Sequence, residues 1–121
     1  MAHKILVVDD EENMRALLKR VLGKAGYDVE CADSGKTALR LALDKPFDLA
    51  VVDVRMPEMG GIEALAGFKV IAGEMPVIMI SASPSWEGRQ VAASLGCAEY
   101  LSKPLDMKRL KEIIKKELKG S

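Results

Sequence analysis

The chain has 121 residues, with eighteen basic and eighteen acidic side chains and a formal charge of zero. That length suits one domain, over residues 1–121, with a sizeable core. The 49% apolar and 30% charged residues are ordinary for a globular protein. Charge balance excludes the basic footprint usual in a direct nucleic-acid binder. No apolar run reaches membrane-spanning length and no signal-peptide pattern opens the chain, so no membrane partner is expected and the expected setting is cytoplasmic.

The first predicted element is a strand, Lys4–Val8, read from "KILVV" and followed at once by the carboxylates Asp9, Asp10, Glu11 and Glu12. A helix is predicted over Glu12–Lys24, where Met14, Leu17, Leu18, Val21 and Leu22 recur on one face. It stops in the stretch Gly23–Gly26. Further strands are expected at Tyr27–Ala32, Asp48–Val52, Pro76–Ile80 and Ala98–Ser102. The helices between and after them are expected at Lys36–Leu43, Ile62–Ile71, Glu87–Leu95 and Met107–Leu118. Gly67 and Gly88 weaken the third and fourth helices, since glycine costs about 1 kcal/mol in a helix interior. The third helix, "LAGFKVIAGE", is apolar enough to offer an extra contact surface. The last is amphipathic, with Leu110, Ile113, Ile114 and Leu118 on its core side and a lysine-rich face that is either solvated or a docking surface.

The cysteines, Cys31 and Cys97, are too few for a disulfide framework and lie at no metal-ligand spacing, so they read as small hydrophobes. His3, the single histidine, reads as solvated at the frayed start.

Five strands alternating with five helices imply an α/β fold with right-handed crossovers. "ILVV", "LAVV" and "VIMI" are continuously apolar, as strands buried on both faces should be. "YDVECA" alternates and "AEYLS" is mixed, which marks them as edges. The expectation is a (βα)5, flavodoxin-like, doubly wound parallel sheet in the order 2-1-3-4-5 with helices on both faces.

Ligands of such sheets bind beyond the carboxyl ends of the strands, near the switch point. Asp9 and Asp10 follow the first strand, Asp53 the third, Ser81 the fourth and Lys103 the fifth. Each has a plainer reading. Asp9 or Asp10 fits a helix cap, Glu11 and Glu12 suit the positive helix N-terminus, Asp53 fits a turn, Ser81 fits a cap of the next helix, and Lys103 fits a solvated cation. The convergence of all five on one rim favours a site. Two carboxylates 4 Å apart repel by about 4 kcal/mol near a protein surface. Three of them, set against one lysine and one divalent cation, balance to zero, and oxygen donors suit Mg²⁺. A cation beside a free aspartate suits phosphoryl transfer, with Asp53, on a separate strand from the acidic pair, as nucleophile.

The stretches "VVDDEENMR", "DLAVVDVRMPEMGG", "VIMISA" and "GCAEYLSKP", in this order, resemble the receiver domain of bacterial two-component response regulators. The resemblance runs from Lys4 to about Leu118. It implies that Asp53 accepts a phosphoryl group from a phosphohistidine on a sensor histidine kinase or phosphotransfer protein. It implies Mg²⁺, or Mn²⁺, held by Asp10, by Asp9 largely through water, by Asp53 and by the backbone carbonyl of Arg55. Ser81 and Lys103 would contact the phosphoryl oxygens, and the Lys103–Pro104 bond resembles the family's cis peptide. Ser81 and Tyr100 would form the switch, with Tyr100 turning inward and repacking the surface of the fourth helix, fifth strand and fifth helix. Arg55 and Ser83 would tune phosphate lifetime. Ser81 stands where threonine is more frequent, and Gly60 where an acidic or amide residue is common. The implied role is signalling, without turnover of external substrates. Output would pass to a downstream protein or to a fused domain absent from this chain, with the receiver monomeric or dimerising on phosphorylation. Three rivals remain: a metal-dependent phosphohydrolase, disfavoured by Asp53-Val54-Arg55 in place of Asp-x-Asp; a flavin or nucleotide binder, disfavoured by "DDEE" after the first strand; and a degenerate receiver used only for docking, disfavoured because all the site residues are present. Trp86, Met56, Pro57 and Met59 read as packing residues.

Overall fold

The structure is a computed structural model that describes residues 2–56, 59–82 and 85–119, with Trp86 described by its backbone alone. Its elements alternate strictly: β1 Lys4–Val8, α1 Glu12–Lys24, β2 Asp28–Ala32, α2 Gly35–Asp44, β3 Leu49–Asp53, α3 Gly61–Ile71, β4 Val77–Ser81, α4 Trp86–Ser94, β5 Glu99–Ser102 and α5 Met107–Lys119. All neighbouring strands run parallel, in the order β2-β1-β3-β4-β5.

The continuously apolar strands take the centre. Every residue of β3 and β4 is buried, as are the last four of β1. Alternate side chains serve opposite faces. Ile5, Val7, Val51 and Ile78 pack against Leu18 and Leu22 of α1 and Leu110, Ile113, Ile114 and Leu118 of α5. Leu6, Val8, Val52 and Met79 face Ala38 of α2, Ala64, Leu65 and Phe68 of α3 and Ala92 of α4. Burying both faces leaves the strand ends as the place where polar side chains can gather.

Several boundaries shift by a residue from the sequence expectation. The strands β2 to β5 each begin one residue later, and β3 and β4 run one residue further. Asp53 pairs with Ile80 and Ser81 with Ser102, so both are last members of the hydrogen-bonded ladder. Two serine caps set helix starts. Ser34 Oγ accepts the Thr37 N–H at 3.1 Å, and Ser85 Oγ accepts the Gly88 N–H at 2.9 Å. Ser85 therefore does the capping that also fitted Ser81. Gly67 fills a packing role: a Cβ there would lie 2.7 Å from a Leu39 methyl, so glycine lets α3 approach α2. No described helix is long and apolar enough to cross a membrane.

Candidate functional site

Asp9 follows the last residue of β1 and is 3% exposed. Its N–H donates to the Ala32 carbonyl at 3.1 Å, the Glu11 N–H donates to its Oδ1 at 2.8 Å, and the Arg15 guanidinium donates to its carbonyl at 2.8 Å. These contacts hold the turn from β1 into α1 and leave Oδ2 facing the site. Asp53, ending β3, is 5% exposed. Its Oδ1 accepts the Arg55 N–H at 3.2 Å, an Asx-type turn that fixes the carboxylate plane. The turn reading of Asp53 and its placement in the site therefore hold together. Behind Asp53 the start of α3 leaves no space. A Cβ on Gly61 would collide with the Asp53 carbonyl oxygen and lie 2.7 Å from Val54 Cα.

The topology brings Asp9, Asp10 and Asp53 together. One oxygen from each carboxylate lies within 4.8 Å of the others, with Asp10 exposed and the other two buried. Lys103, just past β5, reaches in from the opposite side. Its N–H donates to the Ser81 carbonyl at 2.8 Å, which ties the backbone to the end of β4. Its ammonium lies 3.4 Å from Asp53 Oδ2 and 3.6 Å from Asp9 Oδ2. The Lys103–Pro104 bond is cis. Ser81, 2% exposed, stands at the same rim on the strand beside Asp53.

Glu11 is the N-cap residue of α1, yet its side chain makes no capping bond. It points to Lys103 instead, with Oε1 3.1 Å from Nζ. The charge tally of three carboxylates against one lysine is therefore short by one. Lys103 is shared by three carboxylates, and four acidic side chains border the site. Nothing in the local sequence signals a partner 92 residues away; only the fold brings the segments that follow β1 and β5 together.

Electrostatics match this excess of negative charge. Burial pushes the Asp9 carboxyl above its ordinary value of 3.8; the Glu11 N–H and Lys103 oppose that push, and Asp53 and Glu11 add to it. Burial alone would lower the Lys103 ammonium, but Glu11, Asp53 and Asp9 outweigh it and hold its pKa above the ordinary value. Clustered oxygen donors and surplus negative charge are what a hard divalent cation needs, so the residues present fit Mg²⁺.

Tyr100 stands apart from the acidic group. It is 8% exposed and packs in the cluster shared by α2, α3 and α4, so its ring faces inward in this structure. The Arg89 guanidinium lies 5.0 Å from the ring centroid and donates to the Tyr100 carbonyl at 3.2 Å. A Cβ on Gly88 would sit 3.2 Å from the Tyr100 hydroxyl. The helical pattern placed Arg89 on α4 but carried no sign of this contact across to β5. Arg55 is exposed, Met56 packs against the same cluster as Tyr100, and Ser83, Pro57 and the Trp86 side chain lie outside the described residues.

A five-stranded parallel sheet with three acidic groups and a lysine at its carboxyl rim defines a receiver-type signalling domain. The model of the response regulator receiver domain matches residues 5–115, and the chain belongs to that family. It is 37% identical over 116 residues to Regulatory protein AtoC of Escherichia coli, covering 96% of this chain and 25% of that protein. It is 36% identical over 118 residues to Sporulation initiation phosphotransferase F of Bacillus subtilis, covering 98% of this chain and 95% of that protein. The chain thus spans about a quarter of the length of AtoC and nearly all of the phosphotransferase. Among solved structures, the CheY-like receiver domain protein of Methanospirillum hungatei superposes with a TM-score of 0.96 at 30% identity, covering 99% of this chain and 96% of that one. Chemotaxis protein CheY4 of Vibrio cholerae superposes with a TM-score of 0.92 at 31% identity, covering 98% and 100%.

Proposed function

We propose that this chain is a phosphorylation-controlled signalling module whose acceptor is Asp53. The observation that carries the reading is the approach of Lys103 Nζ to Asp53 Oδ2, 3.4 Å, within a group of three carboxylates. An Asp53 oxygen attacks the phosphorus of a phosphohistidine on a sensor histidine kinase or phosphotransfer protein. The new O–P bond forms as the N–P bond breaks, and the electron pair returns to the donor's imidazole. Lys103 pairs with the incoming oxygens, and the Ser81 hydroxyl hydrogen-bonds to them. Asp9, Asp10, Asp53 and the Arg55 carbonyl would hold Mg²⁺ or Mn²⁺, which would neutralise charge on the transferring group. The hydrolytic return step regenerates Asp53, and no external substrate is turned over.

Ser81 and Tyr100 couple the modification to α4, β5 and α5. Tyr100 packs beneath α4 and is gripped by Arg89 of that helix, so a shift at Ser81 reaches that surface through the pairing of β4 with β5, where Ser81 opposes Ser102, two residues beyond Tyr100. The output is a downstream protein or a fused domain, reached by a monomer or by a dimer formed on phosphorylation. Incubation with acetyl phosphate, with and without Mg²⁺, tests the reading. The expected result is a Mg²⁺-dependent phosphoryl mass on Asp53, lost completely in Asp53→Ala. Modification at another residue, or none with any small donor, ends it.

A further inference from the structure

We infer that Glu11 is a positioning residue for this chemistry: its carboxylate holds the Lys103 ammonium while Asp53 is unmodified and releases it when a phosphoryl group arrives. The inference rests on the reading of Asp53 as phosphoacceptor.

Glu11 is the nearest of the three carboxylates around Lys103, at 3.1 Å against 3.4 Å for Asp53 and 3.6 Å for Asp9. Its backbone is fixed, because its N–H donates to Asp9 Oδ1 at 2.8 Å. Its side chain is uncommitted to the helix start, making no capping bond. Exposure divides the pair unequally: the Glu11 side chain is 64% exposed and the Lys103 side chain 15%. Glu11 can therefore swing into water without disturbing the core, whereas Lys103 stays at the site.

Phosphorylation changes the competition. A phosphorylated side chain carries close to two negative charges and three strong acceptor oxygens. The lysine ammonium is a compact charge on a flexible stem. Offered that acceptor within a buried site, it leaves a partner whose attraction water and salt screen. The Glu11–Lys103 pair then exists only in the unmodified state. Removing it raises the energy of that state and shifts the balance towards the modified one. Exposed pairs are weak, so the shift is roughly twofold to fivefold.

Glu12 supplies the control, since it is the next residue, on the first turn of α1, carries the same charge and is exposed. Glu11→Gln and Glu12→Gln are each titrated with acetyl phosphate in Mg²⁺, and the fraction modified at Asp53 is read by intact mass. The Lys103 side-chain ¹⁵N resonance is followed in the same proteins without metal. Glu11→Gln is expected to lower the donor concentration for half-modification twofold to fivefold relative to Glu12→Gln. It should also move the Lys103 resonance, which Glu12→Gln leaves in place. Superimposable titrations, or an unmoved Lys103 resonance, overturn the inference while Asp53 stands as acceptor. No adduct at Asp53 in the unsubstituted chain overturns the acceptor reading itself, and the inference with it.

Discussion

At the carboxyl edge of the sheet, Asp9, Asp53 and Ser81 are the buried polar side chains among the described residues. Towards the amino edge the pattern reverses. Leu43, Val70 and Ile71 stand exposed, and Leu43 and Ile71 border a groove lined also by Phe47, Met75 and Pro76. The sheet thus carries buried charge at its carboxyl edge, while α2 and α3 leave apolar side chains uncovered near its amino edge. Stability alone explains neither, since buried carboxylates lose hydration and exposed aliphatics gain nothing. The difference is that the carboxyl edge has an internal counter-charge. Lys103 answers Asp9 and Asp53 directly, so polar burial there is organised, whereas the exposed aliphatics have no partner within the described fold.

Four substitutions or additions separate the two ends, in falling order of effect. Phe68, fully buried beneath the sheet, serves both ends through the core. Phe68→Ala should cost about 3–5 kcal/mol in denaturant unfolding; a cost under 1 kcal/mol would mean that the core tolerates a void there. Next, Mg²⁺ at about a hundred times its Kd should stabilise the protein by about 2.7 kcal/mol. Calorimetry with and without the ion checks this, and the gain should vanish in Asp10→Ala.

Third, Asp9→Asn should stabilise the metal-free protein at pH 7 by on the order of 1 kcal/mol, because it removes a charge that burial opposes. The sign follows from linkage. The Asp9 pKa is raised on folding above 3.8, so its favourable contribution is full below 3.8 and is lost as the pH rises through the folded value. The two proteins should therefore unfold alike near pH 3, and the gap should open as the pH rises to 7. A gap independent of pH would trace the effect to something other than this carboxyl. Smallest of all, Val70→Lys should change stability by less than about 0.5 kcal/mol, because the side chain is 85% exposed. A larger loss would show that Val70 is covered in solution.

Much of the site was legible in the sequence because it depends on strand ends. Runs such as "LAVV" and "VIMI" place their following polar residues at the carboxyl rim of any parallel sheet, and the strand order then brings Asp9, Asp10, Asp53 and Lys103 together. What Glu11 touches was not legible, for an equally physical reason. Its local pattern, an acid at a helix start, is satisfied by the helix dipole, and the competing pull of Lys103 comes from the far end of the chain. Gly67 was read as a weakness and proved to be a clearance for Leu39. Tyr100 was expected to turn inward as part of a switch; its ring already faces inward, gripped by Arg89.

By itself the sequence determined the strands, the order in which they pair and the rim at which the carboxylates meet, because hydrophobic period and continuous burial are properties of short segments. Tertiary structure alone decided what the cations touch across the fold: Lys103 meets Glu11, and Arg89 meets the Tyr100 ring and carbonyl. Such contacts depend on a few ångströms between segments far apart in sequence, and no pattern along the chain encodes that distance.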